Sequence, residues 1–127
     1  MDYSKLSDFE INRRVFEAKS GLQTLGYPHN SDKRSCGHKD INGNYQWFDF
    51  CNNAADAWQI ISGNKISTMW MTDEKEWCAW AQGDLEEGTW CWENVPDYYF
   101  CCESQLRAAA IVFLMMQEKG KDAGAAK

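Results

Sequence analysis

The run LRAAAIVFLMM, residues 106–116, contains one polar side chain, Arg107. A helix that is apolar on every side has to be enclosed by the rest of the chain. The strongly apolar part, Ala108 to Met116, is nine residues long, about half of the roughly 20 that cross a bilayer. Other elements must therefore wrap it, and 127 residues suffice for one such core. Ser104 can cap this helix, and the pattern places it at 105–119 with Gly120 at its end. Pro96 interrupts the chain ahead of it. One domain is expected over residues 1–120, with KDAGAAK, residues 121–127, a disordered tail.

Two further helices can supply the wrapping. In LSDFEI, Ser7 and Glu10 have the spacing of a capping box, and Leu6 with Ile11 that of a hydrophobic staple. Ile11, Val15, Ala18 and Leu22 recur at helical spacing, so a helix is predicted over 8–20 with Gly21 in the left-handed position after it. In CNNAADAWQII, residues 51–61, Asn53 and Asp56 again have capping spacing, and a helix is predicted over 54–62, ended by Gly63. That assigns Asn53 and Asp56 to capping and Trp58 and Ile61 to the core. Residues 26–44 read as a long polar loop with a turn at Asn42-Gly43, and 45–50 as a strand. Strands are predicted over 66–72, 77–81 and 89–93. The short loops between them imply antiparallel neighbours. Met69-Trp70-Met71 and Trp90-Cys91-Trp92 are apolar on both alternating faces, which calls for a layer on each side of the sheet. The expected class is α+β, an α/β/α sandwich with a small, mainly antiparallel sheet between helices.

Charge removes several function classes. Thirteen basic against nineteen acidic side chains give a net charge of −6, which repels nucleic-acid phosphates and anionic lipid alike. General nucleic-acid binding and membrane association are not expected. The N-terminal MDYSKLSDFE lacks the apolar stretch of a signal peptide. A cytoplasmic protein is inferred, with its six Cys as thiols. None has CxxC spacing.

The chemical candidates are few. His29, Cys36, His38 and Cys51 lie within 23 residues and are the set that could hold a tetrahedral zinc, although the spacing fits no standard finger. The expected cofactor is none, with zinc the runner-up. Cys36 or Cys51 with His38 could form a nucleophile pair, but no nucleophile signature surrounds them. Glu86-Glu87 and Asp73-Glu74 fall in hairpin loops and read as solvated charge, and no phosphate-cradling glycine motif occurs. The vicinal Cys101-Cys102 reads as a lead-in to the last helix. Trp70, Trp77, Trp80, Trp90 and Trp92 fall on adjacent predicted strands. Five indoles exceed what a small sheet hides, so a Trp-based binding surface is expected.

As a set, the segments KLSDFEINRRV, CNNAADAWQII and ESQLRAAAIVFLMMQ resemble the NinX-like phage proteins, which carry the phage ABA sandwich domain. The first is similar to that family's Y-x-E-L-x-D-x-E-I-N, the second to its N-N-P-x-D-A-W-P-I-I. Ala55, Gln59 and Gln105 depart from the family pattern where it has Pro. The resemblance implies an α/β/α sandwich from a tailed phage or prophage and supplies no catalytic residue. The expected function is a non-enzymatic accessory protein that binds and modulates a host or anti-phage defence protein in the cytoplasm of the infected bacterium. The acidic loops 73–76 and 84–87 would face a basic surface, with Trp side chains as anchors. The alternative is sequestration of a small nucleotide-type ligand between aromatic walls, with Lys33, Arg34 and Lys39 meeting its phosphates.

Overall fold

Ser7 caps the first helix: its hydroxyl accepts the Glu10 N–H at 3.1 Å, while the Glu10 carboxylate accepts from Arg13 Nη2 instead of returning the bond to Ser7. Helix α1 then runs over Asp8–Ser20 and closes at Gly21, φ 74°. The computed structural model describes residues 1–28, 30–85 and 91–125, with side chains up to residue 118. After α1 come β1 (Cys36–Lys39), β2 (Tyr45–Phe48), α2 (Ala54–Gly63), β3 (Ser67–Met71) and β4 (Glu76–Ala81). They are followed by β5 (Asp84–Leu85), β6 (Trp92–Asn94), β7 (Tyr98–Cys102) and α3 (Gln105–Ala125).

Strand β1 lies inside the segment that the sequence reads as loop. It pairs antiparallel with β2, Gly37 opposite Trp47. A Cβ on Gly37 would sit 2.6 Å from the Trp47 ring, so the indole fills the space a side chain would take. Glycine is a poor strand former, which hides this strand from propensity. The turn is the expected one: Asp40 accepts N–H bonds from Asn42 and Asn44, both at 2.9 Å, and Gly43 has φ 86°.

Helix α2 begins at Asn53, whose side chain accepts the N–H groups of Ala55 and Asp56. Its buried side chains are Ala57 and Ile60. Trp58, expected in the core, is 63% exposed. At roughly 100° per residue, position 58 lies about 200° from position 60, on the opposite side of the helix.

The central sheet is antiparallel with strand order β3-β4-β7. Its third strand is Tyr98–Cys102, where the sequence predicts 89–93. Thr89 and Trp90 lie outside the described residues, and β6 pairs with β5 in a separate ribbon. Tyr98-Tyr99-Phe100 fits a pleated, half-buried surface. The connection through the ribbon separates it from β4 in sequence.

The chain is an α+β fold, as the pattern predicts. Helix α3 lies on the face of the sheet that carries Ala79 and Ala81, both buried. Ala108, Ala109 and Ala110 are fully buried, and such small side chains permit close approach. Helices α1 and α2 pack against α3. The run that demands enclosure is thus enclosed, from Ala108 to Leu114. Its one polar residue is used: Arg107 Nη1 reaches Asp8 at 2.7 Å and Nη2 donates to the Leu6 carbonyl at 2.6 Å. Helix α3 continues through residues 121–125, where a disordered tail is predicted; an interior Gly120 costs a helix only about 1 kcal/mol against Ala.

Asn12 is fully buried on α1. Its Nδ2 donates to the Arg34 carbonyl at 2.8 Å and to Asp49 Oδ1 at 2.9 Å, and its Oδ1 accepts the Cys51 N–H at 3.1 Å. The substitution Asn12→Leu removes all three bonds and leaves the buried Cys51 N–H without this acceptor, while Asp49 Oδ1 keeps only Asn52 Nδ2. It is expected to lower the unfolding free energy by about 3 kcal/mol, read as a urea midpoint shift at unchanged slope. A loss below about 1 kcal/mol would show that the amide is not a hub.

Candidate functional site

Side chains alternate across the pleat, so the register assigns each to a face. On the face away from α3 lie Met69 and Met71 of β3, Glu76, Cys78 and Trp80 of β4, and Tyr99 and Cys101 of β7. The β5–β6 ribbon folds across this face. Trp92 meets Trp80 edge to face, centroids 5.2 Å apart at 82°. Between ribbon and sheet is a groove of about 500 Å³. Its apolar lining includes Met69, Trp80, Leu85, Trp92 and Tyr99, and Asp73 and Glu74 from the β3–β4 turn also line it. The volume suits a small molecule or a few side chains. Gly83 lets the ribbon return: a Cβ there would lie 2.7 Å from the Pro96 backbone.

The five tryptophans do not form one surface. Trp80 and Trp92 wall the groove. Trp70 and Trp77 face the α3 side, edge to face at 5.6 Å, with Trp70 touching the groove at the sheet edge. Trp90 lies outside the described residues, as do Glu86 and Glu87. Lys33 and Arg34 precede β1 and do not line the groove. Arg34 Nε is 3.6 Å from Asp49, and Lys33 occupies a left-handed turn position, φ 57°. Trp58, Met69 and Tyr99 are candidates that sequence reasoning missed. The two on the sheet needed the third strand to be recognised. Trp58 needed only its helical angle to Ile60.

Of the loop set for zinc, the described members do not come together. His29 is outside the described residues, and Cys36, His38 and Cys51 are not close enough to share an ion. Cys36 is buried and donates to the Asn12 carbonyl at 3.5 Å. His38 packs its ring on Phe16 at 5.3 Å, with Nδ1 3.5 Å from the Gln23 carbonyl oxygen. Burial pushes the Cys36 thiol up to about 12 and raises Cys51 as well, with Asp8 adding to the latter. Both resist becoming thiolates, and neither has His38 as a hydrogen-bond partner among the described residues. The expectation of six thiols is corrected by a disulfide between Cys78 and Cys101, 23 residues apart in sequence. The two are directly opposed on β4 and β7, Cα atoms 4.1 Å apart. Cys101 and Cys102 point to opposite faces and cannot act as a vicinal pair. Among the described residues, the side chains close enough to hold an ion are Glu76, Cys78 and Cys101.

A family model described as "Bacteriophage P22, NinX" matches residues 2–117. The chain belongs to this family. No curated protein matches it. Membership in the NinX family makes it a phage protein, in line with an accessory role. No helix among the described residues is long and apolar enough to cross a membrane. The NinX-like residues of the first segment are scaffold. Tyr3 donates to Glu118, Asp8 pairs with Arg107, and Asn12 is the buried hub. In the second segment, Asn53 caps, the Asp56 carboxylate accepts the Asp49 N–H rather than that of Asn53, and Ile60 packs, while Trp58 stays exposed.

Two outcomes follow. The buried thiols keep their protons in the folded chain to higher pH than in the unfolded one, where they ionise near pH ~8.5. From there towards the raised folded value, the unfolded state binds fewer protons, so stability falls as pH rises. Urea midpoints should drop between about pH 8 and pH 11, by up to about 1.4 kcal/mol per thiol per pH unit, and drop less in a Cys36→Ala/Cys51→Ala variant. An equal fall in both proteins would assign the effect elsewhere. Separately, Gly83→Ala must displace Pro96. Tryptophan emission should shift to the red as the Trp80–Trp92 contact opens, and an unchanged spectrum would place the ribbon's constraint elsewhere.

Proposed function

We propose that this phage protein is a non-enzymatic binding protein that modulates a host or anti-phage defence protein, met in the cytoplasm of the infected bacterium. The observation that supports this reading is the groove: an aromatic and thioether floor with two carboxylates at its side. Trp and Tyr anchor interfaces because they bury large apolar area while their polar ends stay satisfied. Met adapts to irregular partners. Asp73 and Glu74 place part of the chain's net charge of −6 beside the groove. The matching partner surface is an apolar side chain flanked by Lys or Arg, drawn in by the long-range field. The same carboxylates disfavour a phosphate-bearing ligand there, and Lys33 and Arg34 lie off the groove.

The test is comparative capture from host lysate. Trp92 is 39% exposed and packs from a ribbon, so Trp92→Ala is expected to leave the fold intact by circular dichroism. The wild type should retain a partner that Trp92→Ala loses at least ~10-fold, the size of a hot-spot truncation. Asp73→Lys/Glu74→Lys should weaken capture most at low salt, while Trp58→Ala on the far helix leaves it unchanged. Equal recovery by wild type and Trp92→Ala would refute the groove as the binding site.

A further inference from the structure

The Cys78–Cys101 pair has a neighbour that a purely structural disulfide would not need. A Glu76 carboxylate oxygen and both sulfurs all lie within 4.8 Å of one another. Glu76 sits two residues before Cys78 on the same face of β4. Among the described residues its carboxylate has neither a hydrogen bond nor an ion pair. A carboxylate gains nothing from a neutral disulfide, but it gains greatly from a cation held between thiolates. The Tyr99 hydroxyl is 3.8 Å from Cys78 Sγ, in place to donate to a thiolate and steady it, as outer-shell donors do at metal sites. Cys78 lines the groove, which provides an entry path. The β4–β7 ladder holds both cysteines in place on either side, so the ligands stay near each other when the sulfur–sulfur bond is broken.

We propose that the reduced protein binds one zinc ion through the thiolates of Cys78 and Cys101 and the carboxylate of Glu76, with a fourth position open to the groove. Zinc takes sulfur at about 2.3 Å and carboxylate oxygen at about 2.1 Å, which asks the three ligand atoms to sit about 3.5 Å apart. Reduction lets the sulfurs part to that separation. A dithiol reductant supplies the two electrons. One of its thiolates attacks a sulfur of the pair, the Cys78–Cys101 bond breaks, and a disulfide forms in the reductant while both cysteines become thiols. Zinc then displaces the two thiol protons to solvent with no further change of oxidation state. The loop set His29, Cys36, His38 and Cys51 plays no part, and the site stands independently of the partner proposed for the groove.

The full-length protein is reduced with a phosphine, freed of metal, given one equivalent of Zn²⁺ and weighed by native mass spectrometry. Cobalt substitution is read in parallel by thiolate-to-cobalt charge-transfer absorption. One ion per reduced chain and none per oxidised chain is the expected result. Cys78→Ser/Cys101→Ser should abolish binding and the cobalt band. Glu76→Gln should weaken affinity at least ~10-fold, and Tyr99→Phe by about 10-fold. Cys36→Ser, Cys91→Ser and Cys102→Ser should each retain the ion. Circular dichroism separates loss of ligand from loss of fold. Zinc absent from the reduced wild type, or retained by the folded Cys78→Ser/Cys101→Ser variant, overturns the proposal.

Discussion

One side-chain amide, that of Asn12, ties together segments otherwise far apart in sequence. It donates to residues 34 and 49 and accepts from residue 51. Only an amide can do both at once. Aspartate would lack the donor, and leucine would lack both. The consequence spreads because residues 49–53 are where the helices meet. Asn52 bridges Asp8 and Asp49 at 3.1 and 3.0 Å, Asp49 N–H donates to Asp56, and the Ser104 hydroxyl reaches the Cys51 carbonyl at 3.5 Å. The N-termini of α1, α2 and α3 converge there. Asp8, Asp49 and Asp56 set negative charge against the positive ends of three helix dipoles. CNNAADAWQII is therefore a structural joint, with its chemistry spent on capping and on anchoring the N-terminal helix.

Much of this was legible because local rules agree with the global fold. Ser7, Gly21, Asn53 and Ser104 mark helix ends through hydrogen bonds made within a few residues. The structure follows them closely except at the far end of α3. What stayed hidden depends on contacts that are remote in sequence. Strand β1 exists because Trp47 fills the space over Gly37. Strand β7 exists because β4 offers it an edge across an intervening ribbon, and with β7 unrecognised neither the Cys78–Cys101 pairing nor the groove was visible. The Trp residues flagged a surface by number alone. Which of them share a wall is a matter of pleat register, which composition does not carry.

The candidate site concentrates two kinds of chemistry on one face. At one end, carboxylates flank an apolar floor. Beside them, the sulfur atoms of Met69, Cys78 and Cys101 share the face, with Cys78 Sγ 3.8 Å from the Tyr99 hydroxyl. Among the described residues, helices contribute nothing to this lining, and the ribbon side of the groove packs closely where Gly83 meets Pro96.

The packing of α3 on the sheet sets different limits on the two faces of each strand. Helix α3 packs on the sheet face that carries Ala79 and Ala81, and its Ala108, Ala109 and Ala110 are fully buried, so an added methyl there has nowhere to go and that side is frozen by overpacking. On the opposite side of the same strands, Met69 and Tyr99 line the groove, with Tyr99 54% exposed, while buried Trp80 is held against Trp92 of the ribbon. Alternate residues of one strand thus answer to different constraints, one half to the close-packed helical core and the other half to the ribbon and the groove.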